Sequence, residues 1–122
     1  MILLDTSVWV EHLRSHLQTV ADLLEQGDPL MHPWVIGELA CGNMNQRVEL
    51  LAFLGNLPSS VVARDAEILR TIDQQGLMGR GIGYVDAGLI TSCLLSGCRF
   101  WTLDRRLAAV AASMDLAWGP PR

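Results

Sequence analysis

Four carboxylates stand where the chain changes character. Asp5 ends the apolar run Met1-Ile2-Leu3-Leu4 and is followed by two hydroxyls, Thr6 and Ser7. Glu38 lies within Trp34-Val35-Ile36-Gly37-Glu38-Leu39-Ala40, and Asp86 near the start of Tyr84-Val85-Asp86-Ala87-Gly88-Leu89-Ile90. Asp104 directly follows Phe100-Trp101-Thr102-Leu103. Singly, three of them have ordinary uses: Asp5 and Asp104 as helix caps, Asp86 as a favourable charge in a helix's first turn. Glu38, amid apolar neighbours, needs a partner or a cation, because an unpaired charge is expensive to bury. Together the four repel one another, and some stay protonated near neutral pH unless a cation sits among them. Hard oxygen donors without His or Cys select Mg²⁺ or Mn²⁺ over zinc. A divalent ion there activates water and stabilises charge on a phosphoryl oxygen, the chemistry of phosphodiester hydrolysis. Ser7 and Thr102 are hydroxyls at the same strand ends. They either orient a carboxylate or a water, or make ordinary strand-end hydrogen bonds.

An α/β framework positions these groups. Met1–Leu4 reads as a strand buried on both faces, since it lacks any polar alternation. Further strands are expected at Leu30-Met31-His32, Leu57–Val62, Phe100–Leu103 and Leu116-Ala117-Trp118. Helices are expected at Val8–Leu24 (with a break near Ser15), Trp34–Cys41, Gln46–Leu54, Asp65–Gln75, Tyr84–Leu95 and Asp104–Ser113, with Gly76–Gly83 a loop and Gly119–Arg122 a tail. Alternating strands and helices predict a three-layer α/β/α sandwich with a parallel sheet in the order 3-2-1-4-5. The topological switch then falls between strands one and four, with Asp5 and Asp104 facing each other across the crevice where such sheets bind ligands.

At 122 residues the chain is expected to be a single domain, 1–122. No apolar run reaches the roughly 18 residues of a membrane span, and the N-terminus lacks a basic region and a cleavage pattern, so a cytoplasmic protein without membrane contact is expected. Cys41, Cys93 and Cys98 form neither a CxxC nor an even disulfide set; Cys93 and Cys98 read as small buried hydrophobes. The net charge of −4 argues against non-specific wrapping of nucleic acid but not against an enzyme that acts on it. All nine basic residues are arginine.

Four segments carry a specific resemblance: Leu4-Asp5-Thr6-Ser7-Val8-Trp9, Trp34-Val35-Ile36-Gly37-Glu38-Leu39, Gly83-Tyr84-Val85-Asp86-Ala87 and Trp101-Thr102-Leu103-Asp104-Arg105. In order and spacing they resemble the four motifs of PIN-domain ribonucleases, and more narrowly the VapC toxins of bacterial type II toxin–antitoxin pairs. The resemblance implies an RNA endonuclease with Mg²⁺ or Mn²⁺ held by Asp5, Glu38, Asp86 and Asp104. It also implies a homodimer neutralised by a VapB-type antitoxin, with transfer or ribosomal RNA as substrate. One departure stands out: many relatives carry a second acid where this chain has Arg106, so the site leans on fewer carboxylates. Arg106 or Arg105 either contacts a substrate phosphate or belongs to a solvated helix face. Arg80, in a glycine-rich loop, is a further candidate RNA contact. That loop follows a helix rather than a strand, so it is not a dinucleotide fingerprint.

Two other classes gather acids at strand ends around Mg²⁺: phosphoreceiver signalling modules and haloacid-dehalogenase-like phosphatases. Both resemble sites that use a lysine, and this chain has none. A catalytically silent PIN-like binding module would lack the acidic set, which is present.

Overall fold

The computed structural model describes residues 1–120. Strand β1 (Ile2–Leu4) is buried at every residue. Successive strand side chains point to opposite faces, so both faces of the sheet are covered, which is why the run is apolar throughout. Strands β2 (Pro29–Leu30) and β3 (Arg99–Trp101) flank it, both parallel, in the order β2-β1-β3. Leu3 lies opposite Leu30 on one side and Phe100 on the other.

The sheet therefore has three regular strands instead of the five expected in the order 3-2-1-4-5. The remaining two are reduced to single parallel bridges, Met31 with Ser59 and Phe100 with Ala117. At Leu57–Val62 the reason is local: Pro58 has no N–H for a ladder, so pairing is confined to its carbonyl, which accepts from Met31 N–H, and to Ser60 N–H, which donates to the Met31 carbonyl. At the other edge Phe100 exchanges two backbone hydrogen bonds with Leu116 and Trp118, and Gly119-Pro120 follows at once. Pro121 and Arg122 of the expected tail lie outside the described residues.

Among the described residues seven helices accompany the strands: α1 (Thr6–Ser15), α2 (Gln18–Gln26), α3 (Pro33–Ala40), α4 (Arg47–Gly55), α5 (Asp65–Gln75), α6 (Tyr84–Ser96) and α7 (Arg105–Ser113). The stretch expected as one helix from Val8 to Leu24 is two. His16 leaves the helical path at φ 54°, and the Leu17 N–H is captured by His12 Nδ1 at 3.0 Å. The break lies one residue beyond the expected one.

Trp9, Val35, Leu54, Leu89, Ile90, Phe100 and Leu107 close the core around β1. Each large apolar side chain buried in this way is worth about 1.5–3 kcal/mol of transfer free energy. A buried polar knot fixes the sheet edge to α6. His32 Nδ1 accepts from Trp34 N–H at 3.1 Å, while its Nε2 meets Ser92 Oγ at 3.1 Å. Ser92 Oγ also accepts from Ala63 N–H at 3.1 Å. Beside it the Trp34 ring occupies the space a Cβ on Gly88 would fill, so α3 and α6 approach closely there. Among the described residues no helix is long and apolar enough to cross a membrane.

Candidate active site

The site begins at the carboxyl ends of two adjacent parallel strands. Asp5 leaves β1 with its N–H donating to the Trp101 carbonyl of β3 at 2.9 Å, so the end of one strand is pinned to the other. Only 7 % of Asp5 is exposed. Its Oδ2 accepts from Ser7 Oγ and from Thr102 Oγ1, each at 2.8 Å. The same hydroxyls then accept from the chain beyond β3: Ser7 Oγ from Leu103 N–H and Thr102 Oγ1 from Asp104 N–H, both at 3.1 Å. Both alternatives posed for Ser7 and Thr102 are thus realised at once, because each hydroxyl orients the carboxylate and closes the strand end. The Oδ1 of Asp5 has no protein donor among the described residues.

Asp104 is the N-cap of α7, with Oδ1 accepting from Leu107 N–H at 3.0 Å. Asp86 occupies the third position of α6, where its Oδ2 accepts from Gly83 N–H at 3.1 Å. The cap role of Asp104 and the first-turn role of Asp86 are therefore real, whereas Asp5, at the N-cap position of α1, makes no side-chain cap hydrogen bond. Asp86 is half-buried and its pKa is raised. Burial is the largest cause, the Gly83 N–H opposes it, and the negative charges of Asp5 and Asp104 add to it. Asp5 and Asp104 thus both lie within electrostatic reach of Asp86, in an arrangement that a cation relieves.

Glu38 differs from expectation. Its apolar neighbours on α3 turn inward, and Glu38 itself is exposed, so no burial cost demands a cation there. What fixes it is Thr6, whose Oγ1 donates to Glu38 Oε1 at 2.8 Å. Sequence reasoning assigned Thr6 no role, although a hydroxyl directly after Asp5 was the available signal. Glu38 also opens onto a groove of about 640 Å³ between α1, α3 and α4, lined by Val10, Leu13, Leu39, Met44 and Leu50 and not by the three aspartates.

The arginines are placed as follows. Arg80 Nη1 donates to Ser113 Oγ at 3.2 Å, which ties the glycine-rich loop to the far end of α7. Arg105 is exposed in the first turn of α7. Arg106, next along, lies over Gly81. Cys93 and Cys98 are buried as expected, and Cys41 is exposed.

The donor set fits a hard cation, being all oxygen, with Asp5 Oδ1 undonated and a repulsive acidic neighbourhood. Among the described residues no three His, Cys, Asp or Glu side chains are already arranged to enclose an ion.

A sequence model of the PIN domain matches residues 2–113. Ribonuclease VapC32, from two strains of Mycobacterium tuberculosis, is 45 % identical over 118 residues, or 96 % of this chain and 95 % of that protein. In fold, the chain is similar to the structure of VapBC-1 from nontypeable Haemophilus influenzae, with a TM-score of 0.72, 19 % identity, and 98 % and 97 % of the two chains covered. It is also similar to PAE2754 from Pyrobaculum aerophilum, with a TM-score of 0.58, 16 % identity, and 89 % and 78 % covered. Those strand-end acids, on a chain so close in sequence to VapC32, belong to a PIN domain: the protein is a member of the PIN-domain family, among its VapC ribonucleases.

Proposed function

We propose that this chain is a metal-dependent RNA endonuclease, the toxin of a type II toxin–antitoxin pair, and that Asp5, Glu38, Asp86 and Asp104 are its catalytic and metal-binding residues. The observation that carries the reading is the buried Asp5 carboxylate. Its Oδ2 is fixed by two hydroxyls and its Oδ1 is left undonated, and its negative charge reaches Asp86. A bound Mg²⁺ or Mn²⁺ would supply Lewis acidity to the phosphodiester and a lowered pKa to water.

The protein's own part is positional. Asp5 and Asp104 are the principal ligands, with Asp86 a ligand directly or through water. Glu38, held by Thr6, is a ligand or the base that orients the attacking water. Ser7 and Thr102 keep Asp5 in one rotamer, so the oxygen offered to the cation does not wander. The substrate is RNA, with transfer and ribosomal RNA both suited, and the reaction takes place in the cytoplasm. The similarity to VapC32 supports the activity. The fold shared with a VapBC complex supports a VapB-type antitoxin, whose basic residue would find the acidic rim favourable. A homodimer is part of the same proposal, and exposed Val10, Leu13, Val48 and Phe53 leave apolar surface for contacts with other chains.

The test uses antitoxin-free protein and end-labelled total RNA with Mg²⁺, Mn²⁺ or chelator, and Asp5→Asn alongside. Discrete cuts that require metal and disappear in the variant are expected. Equal cutting by Asp5→Asn would remove the site assignment.

A further inference from the structure

An acidic rim repels the substrate it has to bind, since RNA presents a phosphate at every nucleotide. A positive side chain near the acids would add to what a bound cation does to offset that. Arg106 is exposed two residues beyond Asp104, in the first turn of α7.

Its placement is built into the backbone of another segment. A Cβ added to Gly81 would fall 2.7 Å from both Cδ and Nη1 of Arg106, so the end of the Arg106 side chain occupies the space beside the Gly81 Cα. Gly81 also has φ +81°, a conformation L side chains rarely adopt. The loop that carries this seat is held at both sides. Arg80 Nη1 is bonded to Ser113 Oγ at the other end of α7, and Gly83 N–H is bonded to Asp86 Oδ2. Arg106 thus rests on a strip of chain that runs directly into the cap of a candidate metal-binding carboxylate. Yet it forms no ion pair among the described residues, where the pairs are Arg14 with Glu11 and Arg64 with Glu67. An arginine whose stem is seated and whose charge is unspent keeps its planar fork of donors available, and bidentate recognition of phosphate is what that fork does best.

We propose that Arg106, seated on Gly81, is a phosphate-contacting residue that holds the RNA backbone against the acidic rim. This rests on the nuclease reading above and adds to it the residue that offsets the rim's repulsion. Arg105, which lacks such a seat, does not share the role.

The experiment measures binding of a fluorescein-labelled single-stranded RNA oligonucleotide by anisotropy, in chelator and over a series of salt concentrations. Cleavage of the same RNA with Mn²⁺ and melting temperature are recorded for every variant. Arg106→Ala is expected to weaken binding about tenfold, the size of one charged hydrogen-bonded contact, and to flatten the salt dependence by about 0.7, the value for one phosphate contact on single-stranded RNA. Gly81→Ala keeps every charge but displaces the end of the Arg106 side chain from its place beside Gly81, and is expected to weaken binding in protein that still melts cooperatively. Arg106→Lys should fall between, and Arg105→Ala should change binding less than threefold. Arg106→Ala binding as the wild type does, or Gly81→Ala binding unimpaired, overturns the proposal even if the protein cleaves RNA. A wild type that neither binds nor cleaves RNA overturns the nuclease reading with it.

Discussion

Asp5 differs from the other acids in being both buried and doubly donated to. Removing one donor should loosen the carboxylate without deleting it. Ser7→Ala and Thr102→Val are each expected to lower kcat by about 10–100-fold, the usual cost of an outer-shell partner, while Mn²⁺ still binds, as a calorimetric titration of each variant would show. Thr6→Val should act on Glu38 alone, with its effect absent in a Glu38→Gln background. Asp86 makes a thermodynamic prediction as well. Its folded pKa is raised, by burial first, so stability that it lends below its unfolded value is lost as pH rises through the folded one. At neutral pH the anion is a cost, and Asp86→Asn, which keeps the cap to Gly83, should raise the melting temperature at pH 7 while abolishing cleavage. A lowered melting temperature at pH 7 would contradict the electrostatic picture. At this scale the sequence was legible where a residue's type sufficed. Asp5, Asp86 and Asp104 announce themselves as acids at element boundaries, and they come within electrostatic reach. The burial argued for Glu38 failed, because apolar neighbours on a helix occupy other faces of it. The Thr6 and Gly81 contacts depend on partners 32 and 25 residues away, and no local pattern encodes them.

At the scale of elements, two junctions decide whether the acids meet. The first is the β1–β3 end, closed by Ser7 and Thr102. The second is the packing of α3 on α6, where Trp34 fills the place of a Gly88 side chain. Gly88→Ala should overpack this contact and cost roughly 1–3 kcal/mol in urea unfolding, and a neutral outcome would mean that Trp34 is free to swing away. Helix identities were legible because caps and turns mark them: Gly27, Gly76 and Gly97 end α2, α5 and α6. The split of α1 from α2 was visible only as a weakness near Ser15, since His12 capping Leu17 N–H is a side-chain event. The outer strands were over-read. β-branched Val61 and Val62 suggested a strand, but Pro58 upstream restricts pairing and leaves both valines largely exposed.

For the whole molecule, stability should depend on pH through the buried histidine. His32 is fully buried and its pKa is lowered by desolvation. Below about 6.5 the unfolded chain takes up a proton that the folded one resists, so stability present at pH 7.5 declines as pH falls through that window. His12, also lowered by partial burial and by His16, acts in the same direction. Urea unfolding at pH 7.5 and 5.5 is expected to show a lower midpoint at the acidic value with an unchanged m-value. Asp86, whose pKa is raised, acts in the opposite direction, so the comparison is made in Asp86→Asn, where an equal midpoint would contradict the role given to His32. The architecture was legible as α/β with a parallel sheet, because β1 is apolar at every position and must be covered on both faces. The extent of the sheet was not, because edge pairing depends on single backbone hydrogen bonds rather than on a run of residue types.

If the rim of acids works by holding a divalent ion against RNA, titrating Mn²⁺ into the wild type and Asp5→Asn, with ion occupancy and RNA cleavage followed in the same samples, should couple the two. Cleavage is expected to rise in step with occupancy in the wild type, and both are expected to be lost together in the variant. Wild-type cleavage at full rate in chelator, or an Asp5→Asn protein that binds Mn²⁺ and cuts normally, would contradict that role of the rim.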